Sequence, residues 1–254
     1  MPRFFRLALP LSLSAAAFAQ HAAPAALSPT GADKLVAKLN RDEKILGDWP
    51  NLGRYTQANL DLAPPKPGED RVVFLGDSIT DNWGRRYGKF FPGKPFVNRG
   101  IGGQTTPQML IRFRADVIAL HPAAVVILAG TNDIAGNTGP ATLEQIEDNL
   151  ESMSELARLH KIRVVLSSVT PVCDYIKPQT QRRPPDEIVR LNRWIKDYAE
   201  RTGATYLDYY TALLDGQGFL RRDLTFDGLH PNDKGYEVMV PLASNAVAAA
   251  LDRP

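Results

Sequence analysis

Two hydrophobic periods alternate along this chain. Short unbroken apolar runs stand at Arg71–Leu75 (RVVFL), Ala123–Ala129 (AAVVILA) and Ile162–Ser167 (IRVVLS). Runs of that length, rich in β-branched residues, suit parallel strands buried on both faces. Pro95–Asn98 and Ala204–Leu207 are weaker versions of the same signal. Between them the apolar positions fall at helical spacing: Leu110, Phe113, Val117 and Leu120, then Leu143, Ile146, Leu150 and Met153, then Ile188, Leu191, Ile195 and Tyr198. A final stripe runs over residues 233–251 through Tyr236, Val240, Val247 and Leu251. The starts carry helix signals: Thr106 as cap with Pro107 in the first turn, Thr142 with Gln145 as a capping box, and Asp186. A further helix is expected over 31–46, with Leu35, Leu39 and Leu46 on one side. Strands alternating with helices predict one α/β domain with a mostly parallel, five-stranded sheet.

Ligands of such sheets bind beyond the C-terminal ends of the strands. Four segments occupy those ends and are rich in small or polar residues: Gly76–Thr80, Asn98–Gly103, Gly130–Asp133 and Thr170–Cys173. Of the four histidines, His21 lies near the N-terminus, and His121 and His160 fall at the opposite edge of the sheet. His230 lies after the last strand, three residues beyond Asp227. Ser78 follows the first strand, where a serine is either a helix cap or a nucleophile. A serine nucleophile needs a base, and the base needs a group that fixes its tautomer. Ser78, His230 and Asp227 could fill these places. An oxyanion would need donors, and the N–H groups of Ser78 and Gly103 and the Asn132 amide are candidates. Gly76-Asp77-Ser78-Ile79-Thr80 is not the Gly-x-Ser-x-Gly elbow of α/β-hydrolases. Read singly, each residue has a bland alternative: a cap, a turn or a solvated loop.

Composition narrows the classes. Of 254 residues, 44% are apolar and 23% charged, which excludes disordered and collagen-like chains. Arg3 and Arg6 precede the apolar stretch Leu7–Phe18 and the small residues of Ala17-Phe18-Ala19. That order predicts a secretory signal peptide over 1–19, and a secreted or periplasmic protein after cleavage near Ala19. Cleavage would remove two arginines and no acid, leaving basic and acidic side chains equal in number. A neutral chain without a basic run argues against a nucleic-acid partner. No apolar run is long enough for a membrane span. The single cysteine, Cys173, allows no internal disulfide, and no ligand set for a metal stands out. No metal and no cofactor are expected. Residues 20–70 read as a leader and N-terminal helical segment ending in the Pro-rich linker 62–70. Residues 71–254 read as the main domain.

Four blocks taken together resemble the SGNH hydrolases, also called the GDSL esterase/lipase family. Gly76-Asp77-Ser78-Ile79-Thr80 matches the block with the nucleophile, Asn98-x-Gly100-x-x-Gly103 and Gly130-Thr131-Asn132-Asp133 match the two oxyanion blocks, and Asp227-x-x-His230-Pro231 matches the acid–base block. They follow the family's order, and they look closest to bacterial secreted members related to platelet-activating-factor acetylhydrolase. The resemblance implies a flavodoxin-like three-layer α/β/α sandwich and ester hydrolysis through an acyl-enzyme. It makes Ser78 the nucleophile, His230 the base and Asp227 its orienter. Ser78, Gly103 and Asn132 become the oxyanion hole. The substrate expected is a short-chain acyl ester, acetyl above all, on a small molecule or an oligosaccharide. An acyltransferase, a lysophospholipase or lipase, a non-catalytic carbohydrate-binding module, and a metal phosphatase built on Asp77 and Asp133 stay open. Trp49, Tyr55, Trp83 and Tyr175 lie in segments near the expected site mouth, where each either stacks on a sugar ring or, as the commoner case, packs in the core or anchors a loop. The long basic segment 172–186 is expected to act as a binding loop or lid, with Arg182 and Arg183 meeting an acidic substrate group or water.

Overall fold

The computed structural model of the protein describes residues 31–252. The expected signal peptide lies outside the described residues. The chain divides into two compact units, residues 1–43 and 44–254. Helix α1 (Gly31–Gly47) supplies the described part of the first and runs into the second. The second unit continues with α2 (Thr56–Leu60), β1 (Val72–Gly76), α3 (Ser78–Asn82), β2 (Phe96–Gly100), α4 (Thr106–Asp116), β3 (Ala124–Leu128), α5 (Thr131–Ile134) and α6 (Leu143–Leu159). It ends with β4 (Arg163–Ser167), α7 (Pro185–Thr202), β5 (Thr205–Leu207), α8 (Tyr209–Leu213) and α9 (Asp233–Leu251).

All strand pairs are parallel, in the order β2-β1-β3-β4-β5. This is the flavodoxin-like order, and its switch point lies between β1 and β3. The period of two sorts the strand side chains onto two faces. Val73, Leu75, Val125, Ile127, Val164 and Leu166 pack with α4, α6 and α7, whereas Phe74, Val126, Leu128 and Val165 pack with α8 and α9. Because both faces are covered, the strands carry continuous apolar runs. Cutting a buried leucine of either core to alanine would cost ~2–5 kcal/mol.

Local details differ from the expectations. The cap of α4 is Thr105, whose capping box with Gln108 leaves Thr106 inside the helix. The helix ends at Asp116, and Ile118–Leu120 form a separate 3₁₀ turn, so Val117 and Leu120 are buried by a change of helix type. Thr142 and Gln145 do form a reciprocal box. Trp83 is in the core beside Phe74 and Tyr236, not at a mouth. Tyr55 is likewise buried, its hydroxyl donating to the Gly100 carbonyl. Residues 44–70 belong to the same compact unit as the sheet, tied down by Gln104 Nε2 to the Pro50 carbonyl at 2.7 Å and by Gln108 Nε2 to the Trp49 carbonyl at 2.6 Å.

Among the described residues no helix is long and apolar enough to cross a membrane.

Candidate active site

The chain leaves β1 at Gly76 and turns at once into α3. Asp77 caps that helix, its Oδ1 accepting the N–H of Ile79 at 2.8 Å. The cap places Ser78 as the first helical residue, half-buried at the sheet edge. First-turn N–H groups have no partner within their own helix. Among the described residues no protein acceptor takes the N–H of Ser78 or of Gly103.

His230 reaches Ser78 from the far end of the sequence. Its Nε2 lies 2.9 Å from Ser78 Oγ, and its Nδ1 lies 2.7 Å from Asp227 Oδ2. Asp227 Oδ1 accepts the backbone N–H groups of Leu229 and His230 at 3.0 and 2.9 Å. Thr225 closes the same loop, donating to the His230 carbonyl and accepting from Gly228. Burial pushes the Asp227 carboxyl up, but the ring and backbone donors of His230 outweigh it and hold it down at about 2. A carboxylate charged across the ordinary pH range fixes the tautomer with hydrogen on Nδ1, leaving Nε2 to accept from the serine. The ring of Phe226 stacks on the imidazole at 5.5 Å between centroids.

The two glycine-bearing loops complete the edge. A Cβ on Gly100 would collide with the backbone of Asp81, so β2 and α3 approach here only because that residue is glycine. Gly102 lies against Ser78: a Cβ on it would be 3.8 Å from the serine's Cβ. Gly103 takes a φ of +80°, which L side chains rarely adopt. Asn132, in α5, is buried and held at both ends of its amide. Its Nδ2 donates to the Gln104 carbonyl at 3.1 Å and to Asp77 Oδ2 at 3.3 Å, while its Oδ1 accepts from Asn137 Nδ2 at 2.9 Å and Arg183 at 3.3 Å. Asp133 is used in the scaffold: its carboxylate takes the Thr106 N–H and hydroxyl. Asp77 is wholly enclosed, and burial raises its carboxyl to about 6.

The structure thus brings Ser78, His230, Asp227, Gly103 and Asn132 to one edge. It takes Arg182 and Arg183 away from any role toward solvent alone: Arg182 donates to the Ala135 carbonyl and Asn137 Oδ1, and Arg183 is buried behind Asn132. Trp49 is half-buried and lines a cleft of about 490 Å³ with Ile101, Gly102, Gly103, Gln104 and Asn137. Tyr175 is exposed and bonds to Asp215.

Two supporting groups escaped the sequence reading. Asn137 links the oxyanion blocks, since its Nδ2 also reaches the Gly103 carbonyl at 3.1 Å. Arg112 is fully buried and donates to Gly76 O, Arg99 O, Gln104 Oε1 and Asp116. It joins the ends of β1 and β2 to the glycine loop. Its signal was its place on the helix, since 109, 112, 113 and 116 share one buried face of α4.

Among the described residues no group of three or more His, Cys, Asp or Glu is placed to hold a metal ion.

Comparison with known proteins gives the same region a family. A GDSL-like lipase from Bacteroides thetaiotaomicron VPI-5482 superposes with a TM-score of 0.76 at 41% identity, covering 80% of this chain and 100% of that one. Esterase TesA of Pseudomonas aeruginosa is 32% identical over 139 residues, 53% of this chain and 60% of that enzyme. An acetylxylan esterase of Geobacillus stearothermophilus is 26% identical over 200 residues, 67% of this chain and 90% of that enzyme. The chain spans about half to three-fifths of the length of two curated relatives, the Pseudomonas esterase among them. The profile of the GDSL-like Lipase/Acylhydrolase family matches residues 74–238, well over half of the chain and all four blocks, so the chain belongs to that family.

Proposed function

We propose that the protein is a secreted or periplasmic serine esterase that removes short acyl groups, acetyl above all, from carbohydrate. The observation that carries this reading is the unbroken line from Ser78 Oγ through His230 to Asp227, at 2.9 and 2.7 Å. In the first half-reaction Ser78 Oγ attacks the ester carbonyl as His230 Nε2 takes its proton. Asp227 stabilises the imidazolium that forms. The carbonyl oxygen becomes an oxyanion facing the N–H groups of Ser78 and Gly103. Asn132 joins them by giving up the longer of its two resting bonds, the 3.3 Å contact to Asp77. His230 then returns its proton to the departing alcohol, and the acyl group stays on Ser78. A water activated by the same histidine releases the acid.

The choice of acetyl on carbohydrate is supported by likeness to an acetylxylan esterase along nine-tenths of that enzyme. In this chain the cleft beside Gly103 also carries an aromatic wall, Trp49, and mostly neutral polar groups. Export is supported by the charge, apolar run and small residues of the first 19 positions.

The test is a panel of nitrophenyl esters from acetyl to palmitoyl, run beside acetylated xylo-oligosaccharides, on wild type and Ser78→Ala. The reading expects acetyl esters to be fastest, acetate released from the oligosaccharides, and no turnover by a folded Ser78→Ala protein. Activity surviving in that variant overturns the mechanism. A preference for palmitoyl esters overturns the substrate class.

A further inference from the structure

Arg183 is 5% exposed, yet its guanidinium meets only neutral acceptors. Nε donates to Thr131 Oγ1 at 3.1 Å, one terminal nitrogen to Gln179 Oε1 at 3.1 Å and the other to Asn132 Oδ1 at 3.3 Å. None of the salt bridges among the described residues includes it. Asp77 and Asp227 attract it only from beyond ion-pair distance, and burying a cation without an anion in contact is costly.

We infer that Arg183 is a positioning residue of the oxyanion site, which fixes and polarises the Asn132 amide so that its N–H group meets negative charge on the reacting oxygen. The inference rests on the serine-esterase reading. Two donors, Arg183 and Asn137, hold Asn132 Oδ1, and two acceptors, Gln104 O and Asp77 Oδ2, hold its Nδ2. Turning the amide over would set donor against donor at one end and acceptor against acceptor at the other. One orientation is therefore enforced. Hydrogen bonds in series polarise one another, and more so in a low-dielectric setting. A full positive charge on the amide oxygen draws electron density from the nitrogen and strengthens its N–H as a donor. The charges that face this point are mixed. Asp77 and Asp227 oppose an oxyanion, while Arg183, with Arg182 behind it, favours one. Gln179 carries the same arrangement to the acid–base loop, accepting from Arg183 and donating to the Asp227 carbonyl at 3.2 Å.

The experiment compares Arg183→Met and Arg183→Lys with wild type, with the exposed Arg190→Met as control. It reads kcat and KM on nitrophenyl acetate, the melting temperature, and the Ki of an arylboronic acid. A boronic acid becomes a tetrahedral anion when a serine adds to it, so it reports the oxyanion site without turnover. Arg183→Met should lower kcat by about 10- to 100-fold, less than loss of an oxyanion donor itself, with KM within about twofold. The boronate Ki should weaken by a similar factor, and Arg183→Lys should recover part of both. Wild-type kcat and Ki in Arg183→Met, with only a lower melting temperature, overturn the inference. So does an equal loss in Arg183→Lys with Ki unchanged, and that variant decides the matter if the methionine protein does not fold. Failure of the parent reading looks different: wild type would not bind the boronate, or Ser78→Ala would stay active.

Discussion

The two edges of the sheet carry histidines and concave surface alike, and they differ in what their polar groups do. At the N-terminal edge His121, His160 and Arg114 border a hollow of about 580 Å³, larger than the cleft beside Gly103. Arg158, Lys161 and Arg163 border another of about 420 Å³. Both histidines are exposed, and among the described residues neither side chain bonds to a serine or carboxylate as His230 does. At the C-terminal edge the polar side chains are mostly buried and bonded to one another: Asp77, Asn132, Asp133 and Arg183 are each at most 5% exposed. The concave volume of an edge therefore says little about its chemistry. The distinction lies in orientation that is over-determined, because a buried polar group must be bonded and a bonded group points one way.

The largest expected effect breaks this comparison at its two histidines. His230→Ala should lower kcat/KM by a factor of roughly 10⁴ to 10⁶, because in the proposed mechanism the base and the proton donor are lost together. The double variant His121→Ala, His160→Ala should stay within about twofold of wild type. Steady-state rates on nitrophenyl acetate separate the two. A defect in the double variant comparable to that of His230→Ala would mean the edges are not distinguished as argued.

Asn132→Ala comes next in size. If the amide binds the oxygen chiefly as charge develops, kcat should fall by roughly 10²–10³ while KM changes little. The loss should be smaller than for His230→Ala, since the N–H groups of Ser78 and Gly103 remain. A rise in KM at constant kcat would make Asn132 a contact to the bound ester rather than to the oxyanion. A lower melting temperature with normal kcat would make it a scaffold residue only.

Much of the C-terminal edge was legible because parallel-sheet topology sends every strand end there. Five apolar runs, four of them followed by segments rich in small or polar residues, suffice to place Ser78, Gly103 and Asn132 together, and a position after the last strand places His230. Helix boundaries were less legible: Thr105 and Thr106 are both threonine before Pro107, and the cap goes to Thr105, which forms the box with Gln108, while the Thr106 N–H is taken by Asp133 from another element. The supporting shell was hardest to read. Arg112, Asn137 and Arg183 resemble surface residues in type, and Arg183 sits in a loop with Arg182, which is exposed. Trp83 left two readings open, mouth or core, for the converse reason. It lies between short turns, yet Phe74, Phe90, Phe91 and Tyr236 gather around it.

The last expected effect concerns what the active edge costs the fold, and it is read from stability rather than rate. Asp77 caps α3 through Oδ1, but the carboxyl is enclosed, and burial raises it from 3.8 to about 6. Between about pH 4 and 6 the folded state thus keeps a proton that the unfolded chain has released. Stability through this group is greatest below pH 4, falls as pH rises across that window, and stays lowered above it. Asp227 has the opposite sign: held at about 2, it stabilises the fold above pH 4 and loses that contribution only as pH falls toward 2. Asp77→Asn keeps an oxygen for the Ile79 N–H and cannot ionise. Its melting temperature, minus that of wild type, should therefore be constant below pH 4, rise between pH 4 and 6, and level off by pH 7. A shift of this size corresponds to ~3 kcal/mol, or several degrees for a domain this large. Taking the difference removes groups that titrate alike in both proteins, and a constant added nitrogen beside Asn132 Nδ2 moves the whole curve without changing its slope. A difference curve that is flat from pH 4 to 7 would mean that Asp77 is ionised at no cost, and that the buried edge screens its charge as well as water does.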